Sequence, residues 1–185
     1  MNPPNTSREE IMRVSRKIVS EKGLPALNMR ALAKECGIAL GTLYNYYSDK
    51  DELVVAAIES VWQDILEKSA PDSGVRFSQY VTQTYAHIIE RLKDYPDFLA
   101  AHSISVAGSA KGKARGTMER CLCKIRGELH AALREDKNVD RSIFSETFRE
   151  EDLIEHILDT ITISIINGKP DCATLTEILD RLLYR

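Results

Sequence analysis

No apolar run in this chain reaches the ~18 residues that a membrane-spanning helix needs. The opening MNPPNTSREE has none of the apolar core of a secretory signal. The expectation is a cytoplasmic protein with no membrane partner, its four cysteines reduced. An excess of one charge is missing too. A net charge of −3 excludes a globally basic, histone-like chain, so any contact with nucleic acid must come from a local patch. Metal-binding patterns are also absent. His87, His102, His130 and His156 never stand four residues apart, and Cys121 and Cys123 lie roughly 200° apart around a helix, so their thiols diverge. The run Gly108-Ser-Ala-Lys-Gly-Lys has too few residues between its glycines for a phosphate loop, and no Ser or Thr follows its lysine. No serine, cysteine or carboxylate sits in a catalytic pattern, which points away from an enzyme and leaves no cofactor implied.

What the chain does have is apolar residues at helical spacing along its length. Ser7 reads as an N-cap with Glu9 and Glu10 in the first turn, followed by a stripe of Ile11, Val14, Ile18 and Val19 and a stop at Gly23. Leu24 and Leu27 fold back on that stripe, and Asn28 caps the next helix. Asp49 and Glu52 read as a capping pair for a long helix through Leu53, Ile58, Val61, Trp62 and Ile65. Phe77 to Leu92 keeps the same period until Pro96. A short helix is expected around residues 98–106, then a long one carrying Met118, Cys121, Leu122, Ile125, Leu129 and Leu133. Residues 136–150 are charged and less regular. Two helices close the reading, one on Leu153, Ile154, Ile157, Leu158, Ile161 and Ile165, the other on Leu175, Ile178, Leu179, Leu182 and Leu183. The fold class is all-α.

The stretch NMRALAKECGIALGTLYNYYSDK, residues 28–50, reads as two short helices around a tight turn at Gly37, with a third helix beginning at its end. Leu43 and Tyr47 turn inward, which leaves Thr42, Tyr44, Asn45 and Tyr46 on the surface. A helix too short to bury itself, rich in hydroxyls and close to a lysine, suits a DNA-reading helix-turn-helix.

The run LAKECGIALGTLYNYYSDKDEL resembles the DNA-binding signature of the tetracycline-repressor (TetR) family of bacterial transcription regulators, with similarity from about Arg8 to about Ile58. The resemblance implies a three-helix helix-turn-helix domain over residues 1–52. A long fourth helix would join it to a helical ligand-binding and dimerisation domain over residues 53–185. It implies DNA contacts at Arg30, Leu40, Gly41, Thr42, Tyr44, Asn45, Tyr46 and Lys50. Chemically, Thr42, Tyr44 and Lys50 suit phosphates, Asn45 an adenine edge and Leu40 a thymine methyl. The chain departs from the family pattern at Ala39, often serine, and at Leu40, where a polar or basic residue is common.

The resulting expectation is a homodimeric, ligand-responsive regulator, a repressor of a double-stranded, palindromic operator. The last two helices would pair with their symmetry mates, with Ile161 and Leu179 at the interface. An unknown small-molecule inducer would lie among Tyr80, Tyr85, His87, His102 and Cys121, groups with an apolar body and a polar tip. Two alternatives stand beside it: a thiol sensor using Cys121 or Cys123 on the same scaffold, and a helical adaptor or enzyme sharing only the N-terminal fold.

Overall fold

Ser7 opens the first helix as its composition suggests: its Oγ accepts from the Glu10 amide at 3.1 Å, and α1 runs Arg8–Lys22. The computed structural model describes residues 6–67, 74–99 and 111–184, with the side chains of 111–118 and of Cys121 excepted. Among these residues there are eight α-helices and no strand: α2 is Met29–Glu35, α3 Leu40–Tyr44, α4 Lys50–Leu66, α5 Phe77–Leu92, α6 Lys111–Glu135, α7 Glu150–Ile166 and α8 Ala173–Leu183. Short 3-10 turns at Leu24–Ala26 and Arg141–Ile143 interrupt the connections. The expected helix at 98–106 lies, beyond its first two residues, outside the described part.

By their contacts the residues fall into two units, Met1–Ile65 with Leu92–Cys121, and Leu66–Arg91 with Leu122–Arg185. In the first, Ile11, Ile18, Val19, Leu27, Leu32, Leu43, Leu53, Ala57 and Val61 form an apolar core from which water is excluded. Contacts carry this unit past residue 52 through α4, and the return segment 92–98 adds to it, with the Phe98 ring 5.6 Å from Trp62.

In the second unit Phe77, Val81, Leu129, Leu133, Ile154, Ile157, Leu179 and Leu183 are buried. Asp136 ties this unit together. Its Oδ2 accepts from the Phe77 amide at 2.8 Å and from the Tyr184 hydroxyl at 2.6 Å, while Oδ1 accepts from the Asn138 amide at 2.9 Å. The carboxylate thus caps the start of α5 from a point 59 residues further along the chain. Burial pushes its pKa up, but the bonds from Tyr184, Phe77 and Asn138 outweigh that and hold it below the ordinary value.

Ile161 and Leu179, expected at a subunit interface, are instead inside the second unit at 4% and 1% exposure. Both belong to the inward stripe of their helix. The apolar groups left outside are Ile163, Ile166, Ile178 and Leu182, at 59%, 64%, 54% and 36% exposure.

Candidate nucleic-acid interface

The geometry of the interface begins with how α2 ends. Asn28 Oδ1 accepts from the Ala31 amide at 3.0 Å and starts the helix, whose inner face is Met29, Leu32 and Ala33. At its other end the Ile38 amide reaches the Ala33 carbonyl at 3.0 Å and the Gly37 amide the Lys34 carbonyl at 3.1 Å. This is a Schellman termination, and it puts Gly37 at φ 65°, a conformation that costs glycine little and strains other residues. The chain turns sharply there and α3 follows within four residues.

Ala39, at the N-cap of α3, offers no side-chain cap. Leu43 is the one fully buried side chain of this helix and, with Tyr47 at 2% exposure, anchors it to the core. The remaining surface points outward. Gly41, Thr42, Tyr44 and Asn45 are exposed and Leu40 is half-buried. A Cβ built on Gly41 meets nothing within 4 Å. Tyr46 is half-buried and differs from the others. Its hydroxyl donates to the Thr6 carbonyl, and its own carbonyl accepts from Arg8 Nη2 at 2.8 Å. The Arg8 guanidinium lies 5.2 Å from the centre of the Tyr47 ring. The start of α1 is therefore fastened to the end of the recognition helix, a link that no local sequence signal foretells.

Lys50 is the first residue of α4. Asp49 Oδ1 accepts from the Glu52 amide at 2.7 Å, as a cap should, but the Glu52 carboxylate bonds to the Ser48 amide and hydroxyl, both at 2.8 Å.

Most other bases of the helices around this surface are engaged. Arg13 pairs with Glu10 at 2.6 Å, Lys22 with Glu35 at 3.5 Å and Lys17 with Glu21 at 3.9 Å. Arg30, Lys34 and Lys50 are exposed and have no ion-pair partner among the described residues. Arg30 and Lys34 stand one turn apart on α2 and so share a face. The sequence alone does not single out Lys34 as a site residue. Its uncompensated charge is visible only once the ion pairs of its neighbours are known.

The residues expected to line a ligand site divide differently. Tyr80 and Tyr85 are both buried on α5 but lie about 140° apart around it. The Tyr85 hydroxyl donates to the Lys169 carbonyl at 2.7 Å. Tyr80 and His87 share one face of the helix, with buried Thr84 between them. Burial, and then the Glu128 carboxylate, push the Tyr80 phenol up to about 12. His87 Nε2 is sealed from water with no hydrogen-bond partner among the described residues. His102 and the Cys121 side chain lie outside the described part. Of the other thiols, Cys36 and Cys172 are pushed up by burial, which opposes the thiolate that redox chemistry requires, while Cys123 is exposed.

A tight turn between a buried-face helix and a short outward-facing one, with free cations beside it, defines a helix-turn-helix module. Residues 11–57 match the model of the bacterial regulatory proteins of the tetR family. A helix-turn-helix-type transcriptional regulator of Haemophilus influenzae strain Rd is 33% identical over 95 residues, covering 50% of each chain. The match thus spans half the length of that relative. The fold extends further than the sequence likeness. BioQ, solved with its natural double-stranded DNA operator, superposes with a TM-score of 0.58 at 17% identity, over 94% of this chain and 95% of its own. FadR from Bacillus subtilis, solved with stearoyl-CoA, gives 0.50 at 18% identity, over 95% and 97%. No helix among the described residues is long and apolar enough to cross a membrane.

Proposed function

We propose that this protein is a cytoplasmic, ligand-responsive repressor that binds a palindromic DNA operator as a homodimer. Residues 1–52 supply the DNA-binding domain, and 53–185 the ligand-binding and dimerisation domain. The observation that carries the reading is the uncompensated charge of Arg30, Lys34 and Lys50 beside an exposed α3. Phosphates neutralise such charges, and the small or polar groups of α3 then face the bases. Thr42, Tyr44 and Lys50 take phosphate oxygens, Asn45 reads an adenine edge and Leu40 meets a thymine methyl. Tyr46 contributes by holding the start of α1 against this surface.

The exposed apolar groups support the dimer. Ile163 with Ile166, and Ile178 with Leu182, make outward apolar faces on α7 and α8 that a second copy would cover. Ligand response rests on the face of α5 that carries Tyr80, Thr84 and His87. A ligand favouring a dimer geometry with the wrong recognition-helix spacing releases the operator, through a coupling of about 1–3 kcal/mol. BioQ with its operator and FadR with an acyl-CoA are fold neighbours in line with both halves of this reading.

The test is recovery of genomic fragments on the immobilised protein at moderate salt, followed by sequencing. A shared inverted repeat among the fragments is the expected result. Recovery that tracks fragment length alone, with no common sequence, would sink the reading.

A further inference from the structure

Three arginines stand on α1, and carboxylates meet the charges of two of them. Arg13 pairs with Glu10 at 2.6 Å, and Arg16 Nε lies 3.8 Å from Asp64 Oδ1. Arg8 differs. It is exposed, and among the described residues no carboxylate pairs with it. Its partners are neutral. Nη2 donates to the Tyr46 carbonyl at 2.8 Å, and the guanidinium carbon lies 5.2 Å from the centre of the Tyr47 ring. A carbonyl and a ring face fix where the guanidinium stands and leave its full charge in place. The Tyr46 hydroxyl, bonded to the Thr6 carbonyl, holds the backbone just before Arg8 to the same point. That point is the exit of α3. With five residues, α3 spans roughly 7.5 Å, less than the ~12 Å width of a major groove. When it is seated there, each of its ends lies near a phosphate backbone. Arg30 and Lys34 on α2 serve the entry of α3, while Arg8 and Lys50 stand together at its exit.

We propose that Arg8, on α1 and outside the helix-turn-helix, clamps an operator phosphate at the exit of the recognition helix. The inference rests on the operator-binding reading above. The Tyr46 carbonyl takes only part of the guanidinium fork, and the donors left over suit two oxygens of one phosphate. Because the side chain is already held, it loses little freedom on binding. A phosphate carries no sequence information, so Arg8 strengthens binding to every duplex and leaves base preference alone.

The experiment measures operator affinity by fluorescence anisotropy across a series of salt concentrations, for the full chain, Arg8→Gln and Arg8→Lys. Arg8→Gln is expected to flatten the plot of log affinity against log salt by about one unit per subunit. It also loses the tie to Tyr46, and Arg8→Lys separates the two effects. Lysine keeps the charge without the fork, so the parental slope should return while affinity stays severalfold lower. Should Arg8→Gln unfold, the nitrogen-15 signal of Arg8 Nε in the parent, assigned by its loss in Arg8→Lys, decides. A shift of that signal on adding operator supports the clamp, and an unmoved signal overturns it. If the parent binds no duplex, the operator-binding reading itself fails. If the parent binds and Arg8→Gln keeps its slope, or Arg8→Lys flattens it as much as Arg8→Gln, Arg8 serves the fold and touches no phosphate.

Discussion

Gly41 lies in α3 without left-handed backbone and with open space where a Cβ would go. Neither the fold nor the packing requires glycine at this position, and alanine would raise helix propensity by about 1 kcal/mol. The remaining use for a missing side chain is close approach from outside. Gly41→Ala is therefore expected to leave thermal stability equal or slightly higher while weakening operator binding severalfold. A variant that binds the operator as tightly as the parent in anisotropy titrations would show that nothing approaches Gly41. Lys50 permits a different measurement. Lys50→Ala and Tyr44→Phe should weaken matched and mismatched duplexes by similar factors, because phosphate contacts carry no sequence information. Lys50→Ala should also flatten the salt dependence by about one unit of slope for each phosphate it no longer neutralises. Changed base preference in a binding-site selection would instead place Lys50 at a base edge.

Helix boundaries show what short-range chemistry makes legible. Ser7, Gly23, Asn28 and Gly37 each act on residues within one turn, so the limits of α1 and α2 follow from the sequence alone. The stripe of α3 is legible for the same reason, with Leu43 and Tyr47 inward. What escapes is every feature set by partner choice beyond the local pattern. Ser48 donates to the Glu52 carboxylate, Thr6 engages Tyr46, and the Lys169 carbonyl takes the Tyr85 hydroxyl. The burial of Ile161 and Leu179 within one subunit escapes because an apolar stripe gives no sign of whether its partner belongs to the same chain or another. The Asp136 cap of α5 is of the same long-range kind, and it titrates. Its folded pKa lies below the ordinary value, so its stabilisation is full above about pH 4 and is lost as pH falls through the folded value. Tyr184 has the opposite sign: its phenol, pushed up to about 12 by burial and by Asp136, contributes below about pH 10 and fails as pH rises through that higher value. Asp136→Asn should cost about 1–3 kcal/mol in urea unfolding at pH 7, with the gap to the parent closing as pH falls through the lowered folded value. A gap that persists in acid would assign the loss to packing rather than to charge.

For the molecule as a whole, the question is what covers the outer faces of α7 and α8. Ile163→Glu combined with Ile178→Glu places charge where the monomer exposes apolar surface, so each subunit should stay folded while the dimer separates. Sedimentation velocity at micromolar concentration should show one subunit mass, with helical circular dichroism unchanged. Ile161→Glu, at a buried site, should instead unfold the second unit. A double variant that still sediments as a dimer would move the interface to another face.

The Asp136 lock also bears on the order in which the chain takes shape during its synthesis. The α5 amide at Phe77 waits for a carboxylate 59 residues later, and that carboxylate waits a further 48 for the hydroxyl of Tyr184. Ribosomes add about 5–20 residues per second, so α5 emerges several seconds before its cap and longer still before the lock can close. The caps of α1 and α2, by contrast, are made within three residues and need no such delay. The first unit can therefore assemble its first helices on the ribosome, while the second unit completes its lock only after residue 184 has left the exit tunnel.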